Sequence, residues 1–481
     1  MRPLAVTLTA RRAAAAEPER APWISGLQTA ATTSFCVVIA LVPLPFGSMS
    51  ARIIWAWVLV LSAITVLASL RTFNSRDLIF LTGVSMVALI WSFVIAEQIN
   101  PNPILFRRLI DPIWAQTSLL LSQPLAGFVS VAPNQAFFAA GSQIACMLAL
   151  ACGFLLGRER RAAHAIVQTI AMSGFMYALY GIIAFVLWPD HLLWLAKSNY
   201  RNSLMATFIN PNVAAVYFGA CTTIWLLLLA STVELPVGKQ SQSVRQILST
   251  ALFNRPSPRT VFYLIASFVV LSAMFMTGSR AGSVISLLVI SGAAATLYRR
   301  QLGVRGLLLG FPAIAIVAGL VMFQIFGSRV SQRFDSEGLF DSGRWNAYLS
   351  SIDIIKDHPW LGTGLGTFRW AFPAYRSGEI SMIGIWEQAH STTLELAAEM
   401  GIPFTILVVG AWLLVFAILW RGILTRKRDE ILPLAAFWVA ILGVLHSQVD
   451  FSLQVPGFSI VVFALTGMGL AQSASSRTIL T

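Results

Sequence analysis

Apolar residues run along this chain in stretches of roughly 15 to 24, and a helix needs about 20 such residues to cross the hydrocarbon core of a bilayer. The expected spans are Thr29–Phe46, Ile53–Leu70, Leu78–Ala96, Ala136–Leu156, Ala165–Trp188, Val213–Ala230, Thr260–Gly278, Gly282–Tyr298, Gly306–Phe326, Ile402–Trp420, Ile431–Leu445 and Gly457–Gln472. Backbone polar groups find no water inside a bilayer, so each span is predicted to be helical. Two of them, Gly282–Tyr298 and Ile431–Leu445, are short. The longest connection between spans is a loop of about 75 residues, Gly327–Gly401. The pattern predicts an all-α polytopic membrane protein of about twelve spans with one large loop containing short helices. Its divisions are a tail over 1–28, spans within 29–326, the loop over 327–401, spans within 402–472 and a tail over 473–481.

Composition agrees: 57% of residues are hydrophobic, 11% are charged, and mean hydropathy is +0.75. Lys and Arg in short loops favour the cytoplasm. With the N-terminus inside, that side collects Arg2, Arg11, Arg12, Arg20, the segments RTFNSR, GRERR, RRQLGVR and RGILTRKRDE, the loop from Lys239 to Arg259, and Arg477. It then holds 21 of the 33 basic residues but only 7 of the 20 acids. Arg107 and Arg108 fall on the other side, against the trend. The net charge of +13 thus reads as a topology signal and an attraction to anionic membrane lipid, with no nucleic-acid partner required. Both termini are expected in the cytoplasm. PLAVTLTA near the N-terminus is too short for a cleaved signal and is followed by Arg11 and Arg12. Cys36, Cys146, Cys152 and Cys221 all lie in expected spans, so neither a disulfide framework nor a thiolate metal site is predicted.

His191, His358, His390 and His446 fall on the non-cytoplasmic side, and only His164 falls inside. Loops as long as Gly327–Gly401 are usually functional. Its segment SGRWNAYLSSIDIIKDHPWLGTGLGTF starts at a Ser342 cap and spaces Trp345, Leu349, Ile352 and Ile355 as a helix near the membrane surface does, ending at Pro359 and a glycine cluster. The segment EQAHSTTLELAAEMG predicts a second short helix, with His390, Thr393 and Leu394 on one face, Glu395 and Glu399 one turn apart, and its stop at Gly401. His390 is either a packing residue or a proton acceptor, and the neighbouring carboxylates favour the second by holding the ring's tautomer. Gly362, Gly364 and Gly366 loosely resemble a phosphate-cradling loop, but no strand precedes them. Asp335, Glu337 and Asp341 lack metal-ligand spacing and read as a solvated acidic loop.

MTGSRAG places Ser279 and Arg280 in a short break between two apolar runs. That arginine either snorkels to the interface or binds an anion, since its planar fork fits phosphate oxygens. TFINPNVAA, with Arg201 shortly before it, predicts a turn with Asn212 capping the next span or contacting a ligand directly. In HSQVDFSLQVP, His446 and Asp450 are four apart and read as a hydrogen bond tying down the loop.

Together, TGSRAG at Arg280, GRWNAYLSSIDIIKDHPWLGTGLGTF from Gly343, AHSTTLELAAEMGIP from Ala389 and HSQVDF from His446 resemble the O-antigen ligase and polysaccharide polymerase superfamily of bacterial envelope glycosyltransferases. The resemblance covers roughly Arg201 to Pro456. The family's usual His-Asn pair reads His390-Ser391 here, and Phe404 stands where a small residue often follows Gly-Ile-Pro. The resemblance implies a multi-pass protein of the bacterial inner membrane with its active site on the periplasmic side. It implies a metal-independent, inverting transfer, without a cofactor, of a saccharide from a polyprenyl (undecaprenyl) diphosphate carrier to a glycan or lipid-anchored glycan acceptor. Arg280 and Arg344 would meet the diphosphate, with Arg201, Asn212 and Ser279 in support. His390 would activate or position the acceptor hydroxyl, with Glu395 or Glu399 orienting its ring.

Within this reading a ligase in lipopolysaccharide biosynthesis is expected, with an O-antigen or exopolysaccharide polymerase as the alternative. A protein glycosyltransferase is less favoured because no extra domain follows Thr481. A transporter of polysaccharide or lipid is the rival from another class, but transporters place ionisable residues mid-bilayer and the spans here hold almost none.

Overall fold

The computed structural model describes residues 22–232, 257–299, 342–381, 383–426 and 428–474. The chain is mostly helical: α1 (Pro22–Leu41), α2 (Ala51–Ser69), α3 (Ser75–Ile99), α4 (Pro112–Leu121), α5 (Gln135–Gly157), α6 (Arg160–Leu187), α7 (Pro211–Ala230), α8 (Pro258–Met276), α9 (Arg280–Leu297), α10 (Ser342–Asp357), α11 (Phe368–Tyr375), α12 (Thr392–Thr425), α13 (Ile431–His446) and α14 (Pro456–Ala474). A two-stranded antiparallel hairpin, β1 (His191–Leu192) and β2 (Leu195–Ala196), lies between α6 and α7. Among the described residues nine helices are long and apolar enough to cross a membrane, while α1 and α13 carry shorter apolar stretches.

Helices occupy eleven of the twelve stretches the sequence predicts. The ninth, Gly306–Phe326, lies outside the described residues, as do Asp335, Glu337 and Asp341. α1 stops at Leu41 rather than Phe46, because Pro43 and Pro45 withhold backbone donors and a 3-10 turn over Phe46–Ser48 follows. α4 is a helix inside an expected loop, started by Asp111, whose carboxylate accepts from Ile113 N at 2.8 Å, and by Pro112 in the first turn.

α7 and α14 are the inner helices. Five-sixths of each apolar window is buried (83%), against 6% for α3, although α3 is the more hydropathic of the three. α14 lies against α5, where a Cβ on Gly153 would overlap the Ala464 carbonyl and one on Gly467 the Leu150 carbonyl. Small residues thus let these two backbones touch, and close approach replaces the hydrophobic drive that lipid does not supply.

The two ends of the bundle differ. At the end that the positive-inside reading assigns to the cytoplasm, arginines occupy carbonyls left over at helix C-termini: Arg71 reaches Leu155 O at 2.5 Å, Arg299 reaches Ile423 O at 2.7 Å and Arg426 reaches Gln472 O. Carboxylates complete the set, with Arg158 on Asp77, Arg160 on Asp429 at 2.6 Å and Arg299 on Glu430 at 3.3 Å. At the opposite end buried acids accept from backbone amides. Glu97, for instance, takes Ile104 N and Leu105 N at 3.1 Å and Phe106 N at 3.3 Å.

Candidate active site

α12 is two helical segments separated at Gly401, the stop that the sequence predicts. Gly401 has φ 80 and ψ 166, a conformation essentially confined to glycine, and a Cβ there would overlap the Trp360 carbonyl. The break frees carbonyls at the end of the first segment, and the glycine cluster supplies donors: Thr363 N bonds Ala398 O at 2.8 Å and Gly364 N bonds Glu399 O at 3.0 Å. Across the same kink, Ile402 N bonds Pro359 O at 2.8 Å. The glycines therefore serve a helix terminus of this chain, and their amides also hold a carboxylate, since Glu399 accepts from Gly366 N at 2.9 Å and from Phe368 N at 2.8 Å. The Phe368 bond satisfies a donor at the start of α11.

Glu395 acts on the other side of this segment. Its Oε2 accepts from Ala389 N at 2.7 Å, pulling the chain before the helix back over its first turn. Ser391 is the N-cap, its hydroxyl 3.5 Å from Leu394 N. His390 sits between these tethers with φ 55, off the helix and in the left-handed region. The predicted shared face of His390, Thr393 and Leu394 is thus not formed, because the helix begins only at Thr392. Three contacts hold His390: Tyr348 Oη donates to its carbonyl at 3.1 Å, and its ring lies 5.4 Å from the Trp386 ring and 5.3 Å from the Phe451 ring.

Glu395 and Glu399 do not orient the imidazole, contrary to expectation, because both are committed to backbone donors. The carboxylate at the ring is Asp450, whose Oδ1 stands 3.5 Å from His390 Nδ1. Nδ1 is buried, and the separation is longer than that of a good hydrogen bond. Asp450 is itself 1% exposed. It accepts from Phe451 N at 2.8 Å and, through Oδ2, from Asn212 Nδ2 at 2.5 Å. Burial alone would raise the Asp450 carboxyl, but His390, His446 and Arg344 together hold it below the usual carboxylate range.

Asn212 therefore does not cap α7. The cap is Asn210, whose side chain accepts Asn212 N at 2.7 Å, leaving the Asn212 amide to reach Asp450. The predicted bond between His446 and the Asp450 side chain is also replaced: His446 Nδ1 pairs with Ser452 Oγ at 3.1 Å, and Asp450 N bonds the His446 carbonyl. Arg344, on α10, donates to Val449 O at 3.1 Å, one residue from Asp450. α10 spans its predicted range, but Trp345, Leu349 and Ile352 face outward, while Ala347, Ser350, Ser351 and Ile354 pack on the protein.

Arg280 is the first residue of α9, after the Ser279 cap, whose hydroxyl lies 3.2 Å from Gly282 N. Gly282 lies against Ala215, so the first turn of α9 meets the first turns of α7, which carry Asn212. The loop holding Arg201 joins this turn through Leu204 N on Met276 O at 3.1 Å, and Arg201 itself is exposed. A cation without a sequence signal stands there too: Lys197 is buried, donates to Ser203 O at 3.2 Å, and has its pKa lowered by burial. The structure thus joins His390, Asp450, Asn212 and Arg344 directly, sets Ser279 and Arg280 on the adjoining helix, and places Glu395 and Glu399 behind as backbone holders. Asp450 is the candidate-site residue whose partner the sequence misplaces. Its spacing of four from His446 points to that histidine rather than to His390.

Residues 265–409 match the family model described as O-antigen ligase. The match includes Arg280, Arg344 and His390, and supports the superfamily to which the motifs point. No curated protein matches the chain.

Proposed function

We propose, from the premise of an O-antigen ligase match over residues 265–409, that this membrane protein transfers a saccharide from a polyprenyl diphosphate carrier to a glycan acceptor on the periplasmic side, as an O-antigen ligase. The observation that carries the reading is the buried Asp450 facing His390 Nδ1 at the end of the bundle opposite the arginine-capped one.

With Asp450 at Nδ1, the proton of that nitrogen is held toward the carboxylate and Nε2 is left with its lone pair. The acceptor hydroxyl then gives its proton to Nε2 as its oxygen attacks the anomeric carbon. The bond from that carbon to the diphosphate oxygen breaks with its electron pair, and inversion follows from attack opposite the leaving group. The departing diphosphate gains negative charge, which Arg280 and Arg344 meet as planar donors. Arg280 has the further advantage of opening an 18-residue helix, whose first amides favour an anion. The imidazolium formed is stabilised by Asp450, as a histidine base is by its orienting carboxylate. Apolar outer faces such as that of α3 suit a carrier whose lipid tail stays in the bilayer.

The test is complementation of a deletion strain with wild type, His390→Ala, Arg280→Ala and Arg344→Ala at matched membrane levels, reading lipopolysaccharide and exopolysaccharide separately. Loss of long glycan from lipopolysaccharide in all three variants, with the carrier-linked polymer still made, is the expected outcome. Loss of the polymer itself would assign a polymerase. Normal glycan in all three would end the catalytic assignment.

A further inference from the structure

A second polar constellation lies away from His390, in a cavity of about 620 Å³ between the start of α4 and the stretch from Asp357 to Tyr375. One wall is Arg108 to Ile113, and the other runs through His358, Trp360, Trp370 and Tyr375. We propose that this groove is a saccharide subsite, gripping sugar units of the glycan remote from the reacting carbon. The inference rests on the glycosyl-transfer reading above and adds a place for the rest of the chain.

Two kinds of group line the groove, and sugars need both. Trp360 and Trp370 are 61% and 54% exposed, large for tryptophans in a loop that is otherwise tied down. The Arg369 guanidinium lies 5.6 Å from the Trp370 ring centre and also reaches Glu387 at 3.5 Å, which steadies the plane of that ring. A flat indole matches the apolar C–H face of a pyranose, and Trp combines apolar area with a polar handle.

The same lining carries a chain of hydroxyl-binding groups. Tyr375 Oη donates to Asp357 at 2.9 Å and lies 3.3 Å from His358 Nε2, and His358 Nε2 lies 3.7 Å from Asp111 Oδ2. Burial and the Asp357 carboxylate push the Tyr375 phenol up, so it stays a donor. Two carboxylates against the single arginine of the lining suit neutral or amino sugars better than acidic ones. None of these groups touches the His390–Asp450 pair.

α11 forms the partition between groove and candidate active site. Its Phe372 packs on Trp386, 5.9 Å between ring centres, and Trp386 packs on His390, while Trp370 and Tyr375 of the same helix line the groove. The separation is therefore on the order of 10 Å, one helix diameter. A glycan rounding α11 would have its reacting end at His390 and its further units on Trp360 and Trp370. Binding energy from remote sugar units is well used in holding the reacting end in place.

The experiment uses the full chain in lipid nanodiscs and two probes from the source organism: oligosaccharide freed by mild acid from the carrier-linked glycan, and oligosaccharide freed from the lipid-anchored acceptor. Saturation-transfer NMR and tryptophan fluorescence read binding to wild type, Trp360→Ala, Trp370→Ala, Asp357→Asn and His390→Ala, with thermal melts confirming that each variant is folded. Binding weakened at least about tenfold by either tryptophan change, and by less in His390→Ala, is the expected result. The probe that binds identifies whether the groove serves donor or acceptor. No binding of either probe at millimolar concentration, or binding indifferent to both tryptophans, would overturn the subsite. The transfer reading is judged apart, by the complementation test, since His390→Ala and Arg280→Ala leave this groove intact.

Discussion

The two ends of the helical bundle use charge in opposite ways. At the arginine-capped end the acids are met by arginines: the Arg160 side chain, 70% exposed, holds Asp429, and Arg158 holds the buried Asp77. Exposed pairs such as the first are screened and contribute little to stability. At the other end Asp450 and Glu395 are 1% and 8% exposed, and each bond they make replaces hydration lost on burial. The same residue types therefore steady a membrane boundary at one end and dictate local geometry at the other. The partner, arginine at one end and backbone amide or histidine at the other, separates the two uses of charge.

Exchanging an acid at each end is the strongest way to break this comparison. Asp450→Asn should cut transfer by about a hundredfold or more, since it removes the partner that holds the His390 tautomer, while Asp429→Asn should leave transfer unchanged. Single-turnover assays with carrier-linked glycan at matched protein levels measure both. Equal losses would mean that the partner of each acid does not separate them.

Next in size is the kink. Gly401→Ala should destabilise by about 2–3 kcal/mol, because the backbone conformation disfavours any side chain and the Trp360 carbonyl occupies the space. Thermal melts in micelles give the value, and an unchanged melting temperature would show the two α12 segments free to move. Glu399→Gln should cost less, roughly 1–2 kcal/mol, since the amide oxygen can replace one acceptor of the pair that serves Gly366 and Phe368 but not both. Its transfer rate should fall by less than that of Asp450→Asn.

The smallest effect sharpens the comparison through pH. Asp450 is held below its usual pKa, so its contribution is full above the unfolded value near 3.9 and is lost as pH falls through the lower folded value. Asp429 is lowered as well, first by its bond from Arg160, and follows the same sign. In melts from pH 7 to pH 3, the stability difference between wild type and each Asp→Asn variant should stay level to about pH 4 and then fall. The fall should be larger for Asp450→Asn than for Asp429→Asn.

Much of the fold was legible because the bilayer rewards a simple pattern. Long apolar runs marked the helices, Gly401 marked the break in α12, and the prolines at 43 and 45 explain where α1 departs from its predicted end. The candidate site was legible only as separate motifs. Arg280, Arg344 and His390 stood out by residue type and placement, but Asp450 was matched to His446, its neighbour in sequence, rather than to His390. Asn212 read as a cap because it begins an apolar run, yet Asn210 had the geometry for it. Glu395 and Glu399 advertised a partnership with the histidine that their backbone bonds exclude.

The amino-acid order alone was enough for a mostly helical membrane chain and the family of its motifs, since hydropathy acts locally along the chain, but not for the short hairpin between α6 and α7. Burial was not within its reach: α3 and α14 are both apolar, and lipid is as apolar as a protein interior, so hydropathy cannot tell which one faces lipid and which one is enclosed. Nor was the meeting of Asn212 with Asp450, 238 residues apart, or of Asp450 with His390. Those contacts exist because several helix ends converge, and convergence is a property of packing that no single stretch of sequence carries.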